Sequence, residues 1–385
     1  MLLQNLNIIG HDGIKHIRIV EDKIRTIASD QSLLMPERNE LSLVFEKVIA
    51  FPGLINSHDH LDFNLFPQTG NRIYKSYIEW GADIQSNNRK NIEDILSVPK
   101  EIRVEWGIYK NLANGITTVV NHGEYLNIKD PVIDIFQDCY SLHSVREKSW
   151  KFKLNRPFVK NQPFVIHVGE GIDIPAIEEI NEVIKWNLFK RKVIAVHGVS
   201  MNIKQAKAFE ALVWCPDSNF FLLNETAKVN ELKKETKIIF GTDSTVSANW
   251  NVWEHLRLAK ETKMLTDSEL FESLTSLPAA VWGLNDRGVL MEGKNADVVI
   301  AGMKSENNPM DNFFALNPEN ILLILRKGEI ILFDEALYSL LVSKVNIQKF
   351  SKMVINSINK FIKGDLTGLI SKTKKYVPKI NLFDL

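Results

Sequence analysis

The sequence predicts an α/β protein in which a parallel sheet occupies the middle of the chain and a small β domain is built from its two ends. Two observations predict this class. Short apolar runs rich in branched residues alternate with amphipathic segments across residues 51–286. Stretches with the pattern of β-hairpins lie at both ends of the chain. The alternation fits a (β/α)₈ barrel or an open doubly wound sheet, and periodicity alone does not choose between them.

The two ends carry hairpin signals and little helical pattern. GIKHIRIV and KIRTIAS are joined by Glu21 and Asp22, and LVFEKVIAF follows a polar loop that contains Pro36. ILLILRKGEIILF has Lys327 and Gly328 at its centre, where a tight turn is expected. We therefore predict one β domain made from residues 1–50 and 287–334.

The middle of the chain contains the runs that we expect to form strands buried on both faces. They are TTVVNHG, CYSLHSV, FVIHVGE, VIAVHG, ALVWCPDSN and IIFGTDS. The segment REKSWKFKLNRPFVKNQ, between the second and third of these runs, has too little helical pattern for an ordinary βα unit. The fourth βα unit is therefore expected to be shortened.

Residues 335–385 are predicted to form a helical tail. Apolar residues recur there at steps of three and four, with lysines elsewhere. They are Ile347, Phe350, Val354, Ile358 and Phe361. We expect this helix to pack on the rest of the molecule or on a second subunit rather than on a membrane surface.

Composition excludes several classes of partner. The 47 basic and 47 acidic residues cancel, so the charge balance favours a small-molecule substrate over nucleic acid or an anionic membrane. Cys139 and Cys215 are too few for a disulfide framework, which fits a reducing compartment. The start MLLQNLNIIGHDG lacks the basic region of a secretion signal, so we expect a cytoplasmic protein.

Histidines and carboxylates follow several of the predicted strands. His58 and His60 lie two residues apart in INSHDHLD, so in a strand they point to one face and can converge on an ion. A solvated loop that happens to hold two histidines explains that motif equally well. His167, His197 and Asp243 end three further runs. Five metal-competent groups at the ends of four strands predict a metal site at the carboxyl edge of the sheet.

The chain here resembles the amidohydrolase superfamily of metal-dependent hydrolases. The motifs that carry the resemblance are PGLINSHDHL, HVGE, VHGVSM, CPDSNFFL, GTDSTVSAN and LPAAVWGLNDRGVLMEGKNADVVIAG. It implies a TIM-like (β/α)₈ barrel over residues 51–286, a β-sandwich for the domain at the chain ends, and possible homodimers. No lysine stands out for the carboxylated bridge of binuclear members, whereas His167-x-x-Glu170 resembles the mononuclear deaminase and chlorohydrolase branch.

That branch implies one divalent metal ion, zinc or iron, and a division of roles among the motif residues. The implied ligands are His58, His60, His167 and Asp243. His197 would orient the water and stabilise the oxyanion, and Asp243 would also accept the water's hydrogen bond. Glu170 would shuttle the proton, with Gly169 and Gly171 letting the backbone turn its carboxyl toward the metal.

The resemblance therefore implies a deaminase of a nitrogen heterocycle, with two alternatives left open. One is hydrolysis of a cyclic amide or a C–Cl bond at the same site, and the other is a non-catalytic scaffold. Candidate substrate-binding residues follow the strand ends, although ordinary rim, turn or packing roles fit each equally well. They are His122, Asn219, Asn224, Asp62 and Trp80, with Asn64 and His143 as further candidates.

Overall fold

The structure is a computed structural model that describes residues 1–29, 36, 40–157, 162–306 and 308–379. Most of the polar loop around Pro36, part of the fourth βα unit and the last residues of the predicted tail lie outside the described residues. The strands are β1 (Leu2–Ile8), β2 (Ile14–Val20), β3 (Lys23–Ala28), β4 (Ser42–Val44), β5 (Val48–Pro52), β6 (Leu54–Asp59), β7 (Ile116–Asn121), β8 (Asp134–Phe136), β9 (Tyr140–Leu142), β10 (Phe164–Val168), β11 (Val193–His197), β12 (Ala211–Trp214), β13 (Lys237–Phe240), β14 (Val298–Gly302), β15 (Ile321–Arg326), β16 (Glu329–Asp334), β17 (Phe350–Ile355) and β18 (Ile358–Lys363). The helices are α1 (Tyr77–Asn87), α2 (Arg89–Leu96), α3 (Lys100–Ala113), α4 (Trp150–Leu154), α5 (Ile174–Trp186), α6 (Ile203–Ala206), α7 (Pro216–Leu223), α8 (Val229–Leu232), α9 (Val252–Glu261), α10 (Asp267–Glu272), α11 (Ser276–Trp282), α12 (Pro309–Phe314), α13 (Tyr338–Leu341) and α14 (Leu366–Lys374).

The middle of the chain forms two parallel sheets whose strand order follows the chain order. One sheet runs β6–β7–β8 and the other β9–β10–β11–β12–β13, with every ladder parallel. The N–H groups of Thr242 and Asp243, just after β13, both donate to the His58 carbonyl at 3.1 Å, so the two sheets meet at that edge. The α/β class and the parallel arrangement are thereby confirmed.

Amphipathic helices pack on these sheets through their apolar faces, as α5 illustrates. In α5, the Asp173 side chain caps the helix by accepting the Ala176 N–H at 3.0 Å, and Pro175 occupies the first turn. Ile180 and Val183 lie three residues apart and are both buried. One face of the helix is thereby fixed against β10, whose end carries His167.

The two ends of the chain share one sheet. Its order is β17–β18–β16–β15–β14–β5–β1–β2–β3, with β4 beside β1. The ends join where β14 pairs antiparallel with β5, from Val298 opposite Pro52 to Gly302 opposite Val48. Both predicted hairpins, β2–β3 and β15–β16, form as expected, the latter turning at Lys327 and Gly328.

The prediction of a helical tail over residues 335–385 was wrong for residues 347–363. This stretch ends in the hairpin β17–β18, which joins the shared sheet through β16. Asn356 and Ser357 both have positive φ, 46° and 65°, as in the tight turns that suit twisted hairpins. The buried side chains alternate with period two, Met353 and Ile355 on β17 and Ile362 on β18, whereas Val354 and Ile358 are exposed. The step of three and four was coincidental, although α14 further on is helical.

The segment predicted to hold the fourth βα unit contains one short helix among the described residues. β9 is followed by α4, a helix of five residues with Trp150 and Leu154 buried. Residues 158–161 of this unit lie outside the described residues. The predicted division of the chain into domains stays a prediction.

Across residues 1–29, 40–157, 162–306 and 308–379, the helices are too short or too polar for any of them to span a bilayer.

Candidate metal centre and active site

Three histidines converge beyond the carboxyl ends of β6 and β10. The Nε2 atoms of His58 and His60 lie 3.2 Å and 3.3 Å from the Nε2 atom of His167. The Asp243 Oδ1 atom lies 3.9 Å from His58 Nε2 and 4.0 Å from His60 Nε2. The structure therefore brings together the four groups that the resemblance implied as ligands.

This donor set fits a divalent metal ion. Tetrahedral zinc with bonds to nitrogen of about 2.0–2.1 Å places neighbouring ligand atoms roughly 3.3–3.4 Å apart, close to the separations of the Nε2 atoms. His167 Nδ1 donates to the His143 carbonyl at 2.8 Å, which leaves its Nε2 lone pair free to bind a cation. Three imidazoles and one carboxylate suit zinc or iron.

Burial favours the uncharged form of two of these imidazoles, those of His58 and His167. Burial lowers the pKa of His58 and of His167 well below the usual histidine value, and the neighbouring histidines lower both further. A metal ligand must be deprotonated, so both side chains are ready to bind a cation at neutral pH.

Asp243 is held ionised and aimed at the histidines. Its Oδ2 atom accepts from the hydroxyls of Ser218 and Ser247 at 3.0 Å and 2.9 Å, and its Oδ1 atom accepts the Ser244 N–H at 2.7 Å. Burial opposes ionisation, but His60, His197 and these hydrogen bonds outweigh it and lower the pKa of the Asp243 carboxyl.

Glu170 lies beside this cluster and faces the same cavity. The chain leaves β10 through Gly169, which has φ 64° and a position where a Cβ would meet Ile180 at 2.7 Å. The Glu170 Oε2 atom lies 3.5 Å from His197 Nε2. Burial raises the pKa of Glu170 well above the usual carboxyl value, and Asp243 and Glu179 raise it further. A carboxyl with a raised pKa is suited to both accepting and returning a proton near neutral pH.

His197 is oriented by a hydrogen-bond chain from behind. Trp214 Nε1 donates to Thr226 Oγ1 at 2.7 Å, Thr226 donates to Asn219 Oδ1 at 3.4 Å, and Asn219 Nδ2 lies 2.9 Å from His197 Nδ1. An amide N–H donated to Nδ1 places the imidazole proton on Nε2. One ring nitrogen of His197 also lies within 4.8 Å of ligand nitrogens of His58 and His167.

A cavity of about 1240 Å³ opens above the cluster. His122, Asp62 and Trp80 line it, together with Glu170 and His197. Among the described residues, His122 is buried with no hydrogen-bond partner on either ring nitrogen, so both are available to a ligand. Apolar side chains also line the cavity, among them Phe63, Phe66, Ile78, Trp80, Ile84, Ile92 and Leu96.

Three substrate-binding candidates do not line this cavity. Asn219 is fully buried behind His197, and Asn224 is exposed, ends α7 and has φ 51°. Asn64 is buried and donates to Asp59 Oδ1 at 2.8 Å. The structure therefore corrects these predictions: Asn219 orients a site residue, Asn224 is a helix-ending turn residue, and Asn64 belongs to a polar cluster beneath the site.

That cluster contains a residue that the sequence pattern did not single out. Lys110 of α3 is fully buried and lies 3.1 Å from Asp59 Oδ2. The signal was present, because Asp59 lies between two candidate ligands and a buried carboxylate needs a cationic or hydrogen-bonding partner. Nothing in the helical pattern of α3 marked Lys110 as that partner.

Comparison with known proteins places this site in a family context. A sequence profile described as the amidohydrolase family matches residues 155–331, a range that includes His167, Glu170, His197 and Asp243. A 5-methylthioadenosine/S-adenosylhomocysteine deaminase of Caldicellulosiruptor saccharolyticus is 24% identical, with 88% of this chain and 95% of that protein aligned. A 5'-deoxyadenosine deaminase of Methanococcus aeolicus is also 24% identical, over 93% of this chain and 99% of its own length.

Solved structures show the same fold. An adenosine deaminase of Xanthomonas campestris with bound zinc superposes with a TM-score of 0.66 at 13% identity, covering 98% of each chain. A triazine hydrolase variant superposes with a TM-score of 0.67 at 18% identity, covering 98% of this chain and 99% of its own. These likenesses indicate a TIM-like barrel for the parallel sheets.

Proposed function

We propose that this chain, which belongs to the amidohydrolase superfamily, is a metal-dependent enzyme that hydrolyses C–N bonds other than peptide bonds and removes the amino group of a nitrogen heterocycle. The observation that carries the proposal is the buried Glu170 carboxyl, three residues after His167 and facing the same cavity. A non-ligand glutamate beside a metal-activated water is the arrangement by which zinc deaminases transfer protons.

His58, His60, His167 and Asp243 would hold one divalent ion, which we propose to be zinc. When bound, the ion supplies a water that ionises near neutral pH and polarises the carbon–oxygen bond that forms. The three neutral imidazoles and the ionised Asp243 carboxylate place one negative charge against the ion's two positive charges. The short separations between the Nε2 atoms support this assignment.

Glu170 would carry the proton transfers, and His197 would stabilise the developing oxyanion. Glu170 takes a proton from the attacking water and passes it to the ring nitrogen beside the carbon that bears the amino group. His197 donates a hydrogen bond from Nε2 to the oxygen as that carbon becomes tetrahedral. Glu170 then takes the remaining proton from this oxygen and delivers it to the amino group, which leaves as ammonia while the ring keeps a carbonyl group.

The cavity is larger than a bare heterocycle requires. The polar groups Glu170, His197 and His122 line it together with apolar side chains between Phe63 and Leu96. This arrangement supports a heterocycle with a partly apolar substituent. The relatives act on 5-methylthioadenosine, S-adenosylhomocysteine and 5'-deoxyadenosine by name, so 5'-modified adenosines are the first substrates to test.

A screen for released ammonia tests the proposal. Purified zinc-loaded protein is incubated with 5'-modified adenosines, other purines, pyrimidines, pterins, triazines and lactams, and ammonia, chloride and ring opening are measured in parallel. We expect ammonia from at least one aminated heterocycle and none from the Glu170→Gln variant. Opening of a lactam or release of chloride, with ammonia absent throughout, would contradict deamination.

The finer architecture and setting are also proposals. The two parallel sheets would be the halves of one closed (β/α)₈ barrel, and the sheet shared by the chain ends would form the β-sandwich. The TM-scores of 0.66 and 0.67 support the barrel. Cys139 and Cys215 are both free thiols, which supports a cytoplasmic location.

A further inference from the structure

Lys110 enters the polar cluster beneath the site from α3, and its side chain is fully buried. Its Nζ atom donates to Asn64 Oδ1 at 2.9 Å, to Thr242 Oγ1 at 3.1 Å and to the Asp243 main-chain carbonyl at 2.8 Å, beside the ion pair with Asp59. The close approach depends on Gly107, because a Cβ there would lie 2.4 Å from the Leu61 carbonyl oxygen. The lysine therefore reaches the site only because α3 packs directly against the turn after β6.

The partners of Lys110 belong to the two segments that carry the proposed ligands. Asp59 lies between His58 and His60 and points away from the cavity. Its carboxylate also accepts from Asn64 Nδ2 at 2.8 Å and from Asn111 Nδ2 at 2.7 Å. Lys110 thus links the backbone that carries two histidines to the backbone that carries Asp243.

Asp243 needs such support because its backbone has φ 57°, in the left-handed region that residues other than glycine seldom adopt. Its N–H donates to the His58 carbonyl at 3.1 Å and its own carbonyl accepts from Lys110. Both backbone groups of Asp243 are thereby fixed, and the hydrogen bonds from Ser218, Ser244 and Ser247 hold its carboxylate beside the histidines.

We propose that Lys110 is a positioning residue for the metal centre, holding Asp243 and the His58–His60 strand in register so that the four ligands bind one ion tightly. This inference rests on the proposed metal centre. Partners behind metal ligands typically change metal affinity by about 10–100-fold when removed.

A matched control separates this role from ordinary stabilisation. Lys360 is also fully buried, and its Nζ atom contacts Asp334 Oδ2 and the Ile321 carbonyl, both at 2.6 Å, in the sheet shared by the chain ends. Lys360→Met removes a buried ion pair of the same kind from another part of the molecule. Lys110→Met leaves the Asp59 charge unpaired, so the double variant Asp59→Asn/Lys110→Met removes both charges together.

The experiment measures the zinc dissociation constant of the full-length variants by competition with a chelator, alongside thermal unfolding without metal. We expect both Lys110 variants to bind zinc about 10–100-fold more weakly than the wild type, and Lys360→Met to bind it as the wild type does. A folded Lys110 variant that binds zinc within about threefold of the wild type would overturn the inference. So would failure of both Lys110 variants to fold while Lys360→Met folds, because the role would then be purely structural. If the wild type itself binds no zinc or iron, it is the proposed metal centre that fails.

Discussion

Replacing Asn219 with aspartate tests which nitrogen of His197 faces the cavity. The Asn219 amide lies 2.9 Å from His197 Nδ1 and is fully buried, so water cannot take its place. An aspartate at this position accepts a hydrogen bond and offers none when ionised. The imidazole proton would then move to Nδ1, and Nε2 would present a lone pair to the developing oxyanion.

The expected loss follows from removing one donor to that oxyanion. Deleting such a donor costs about 2.7–4 kcal/mol of transition-state stabilisation, which corresponds to a fall in kcat of roughly 10²–10³-fold. KM should change little, because the hydrogen bond is made as the tetrahedral carbon forms. Zinc content should stay near one per chain, because the Asn219 side chain bonds His197 and Thr226, neither of which is a proposed ligand.

The assay is steady-state ammonia release with zinc at saturation, compared with Asn219→Leu and Thr226→Val. Asn219→Leu removes the orienting bond without imposing a tautomer, so its loss should be smaller than that of the aspartate variant. Thr226→Val removes only the donor to Asn219 Oδ1, and its effect should be smaller still. An aspartate variant with kcat within about threefold of the wild type would refute the assignment of His197 as a donor.

Three further predictions concern the proposed proton shuttle, the carboxylate beside it and the tail hairpin. Glu170→Gln should keep about one metal ion per chain and lose turnover, whereas His58→Asn should lose both the metal and turnover. Plasma mass spectrometry measures the metal and ammonia release measures turnover, and an active Glu170→Gln enzyme would contradict the proton-shuttle role. Because the Glu179 charge raises the pKa of Glu170, Glu179→Gln should lower that pKa and move the acid limb of the kcat/KM profile to lower pH, and a shift to higher pH would contradict the coupling. Ile362→Ala should lower the free energy of unfolding by about 2–5 kcal/mol, because Ile362 is fully buried in the tail hairpin. Ile358→Ala, at an exposed position, should change that free energy by less than about 0.5 kcal/mol. Chemical denaturation measures both, and the reverse order would support a helix instead.

The sequence predicted that the ligands converge, because the ends of strands can be recognised from the end of each apolar run. His58, His60, His167 and Asp243 each follow an apolar run, and parallel strands bring such ends to one edge. Neither Asn219 nor Lys110 could be assigned in this way. Their roles depend on contacts between residues 22 and 133 positions apart, with His197 and with Asp243 respectively.

The tail shows a different limit of sequence reasoning. Apolar residues at steps of three and four between 347 and 361 matched a helix, but they are not the residues that the structure buries. A short segment with many apolar residues fits both the helical period of about 3.6 residues and the strand period of two. The free edge of the neighbouring sheet decides whether a helix or a strand forms. Here the unpaired side of β16 accepts β18, which satisfies backbone groups that a helix would have left at that edge.

Two residues of the proposed site have strained backbones, and hydrogen bonds from the surrounding structure hold both in place. Asp243 has φ 57° and His197 has φ 68°, both in the left-handed region. At His197 the next amide, Gly198 N–H, bonds the Val196 carbonyl at 3.0 Å, closing a γ-turn, and bonds the Val168 carbonyl of β10 at the same distance. At Asp243 the Lys110 ammonium and the His58 carbonyl hold the two backbone groups.

Both strained residues line the cavity, and each is held by partners that do not line it. Such conformations cost of order 1–3 kcal/mol apiece and persist only where neighbouring contacts outweigh them. Substitutions behind the site, at Lys110 or Asn219, should therefore weaken metal binding or catalysis in a protein that still folds. The precision of this site would then come from its buried polar supports as much as from the residues that face the cavity.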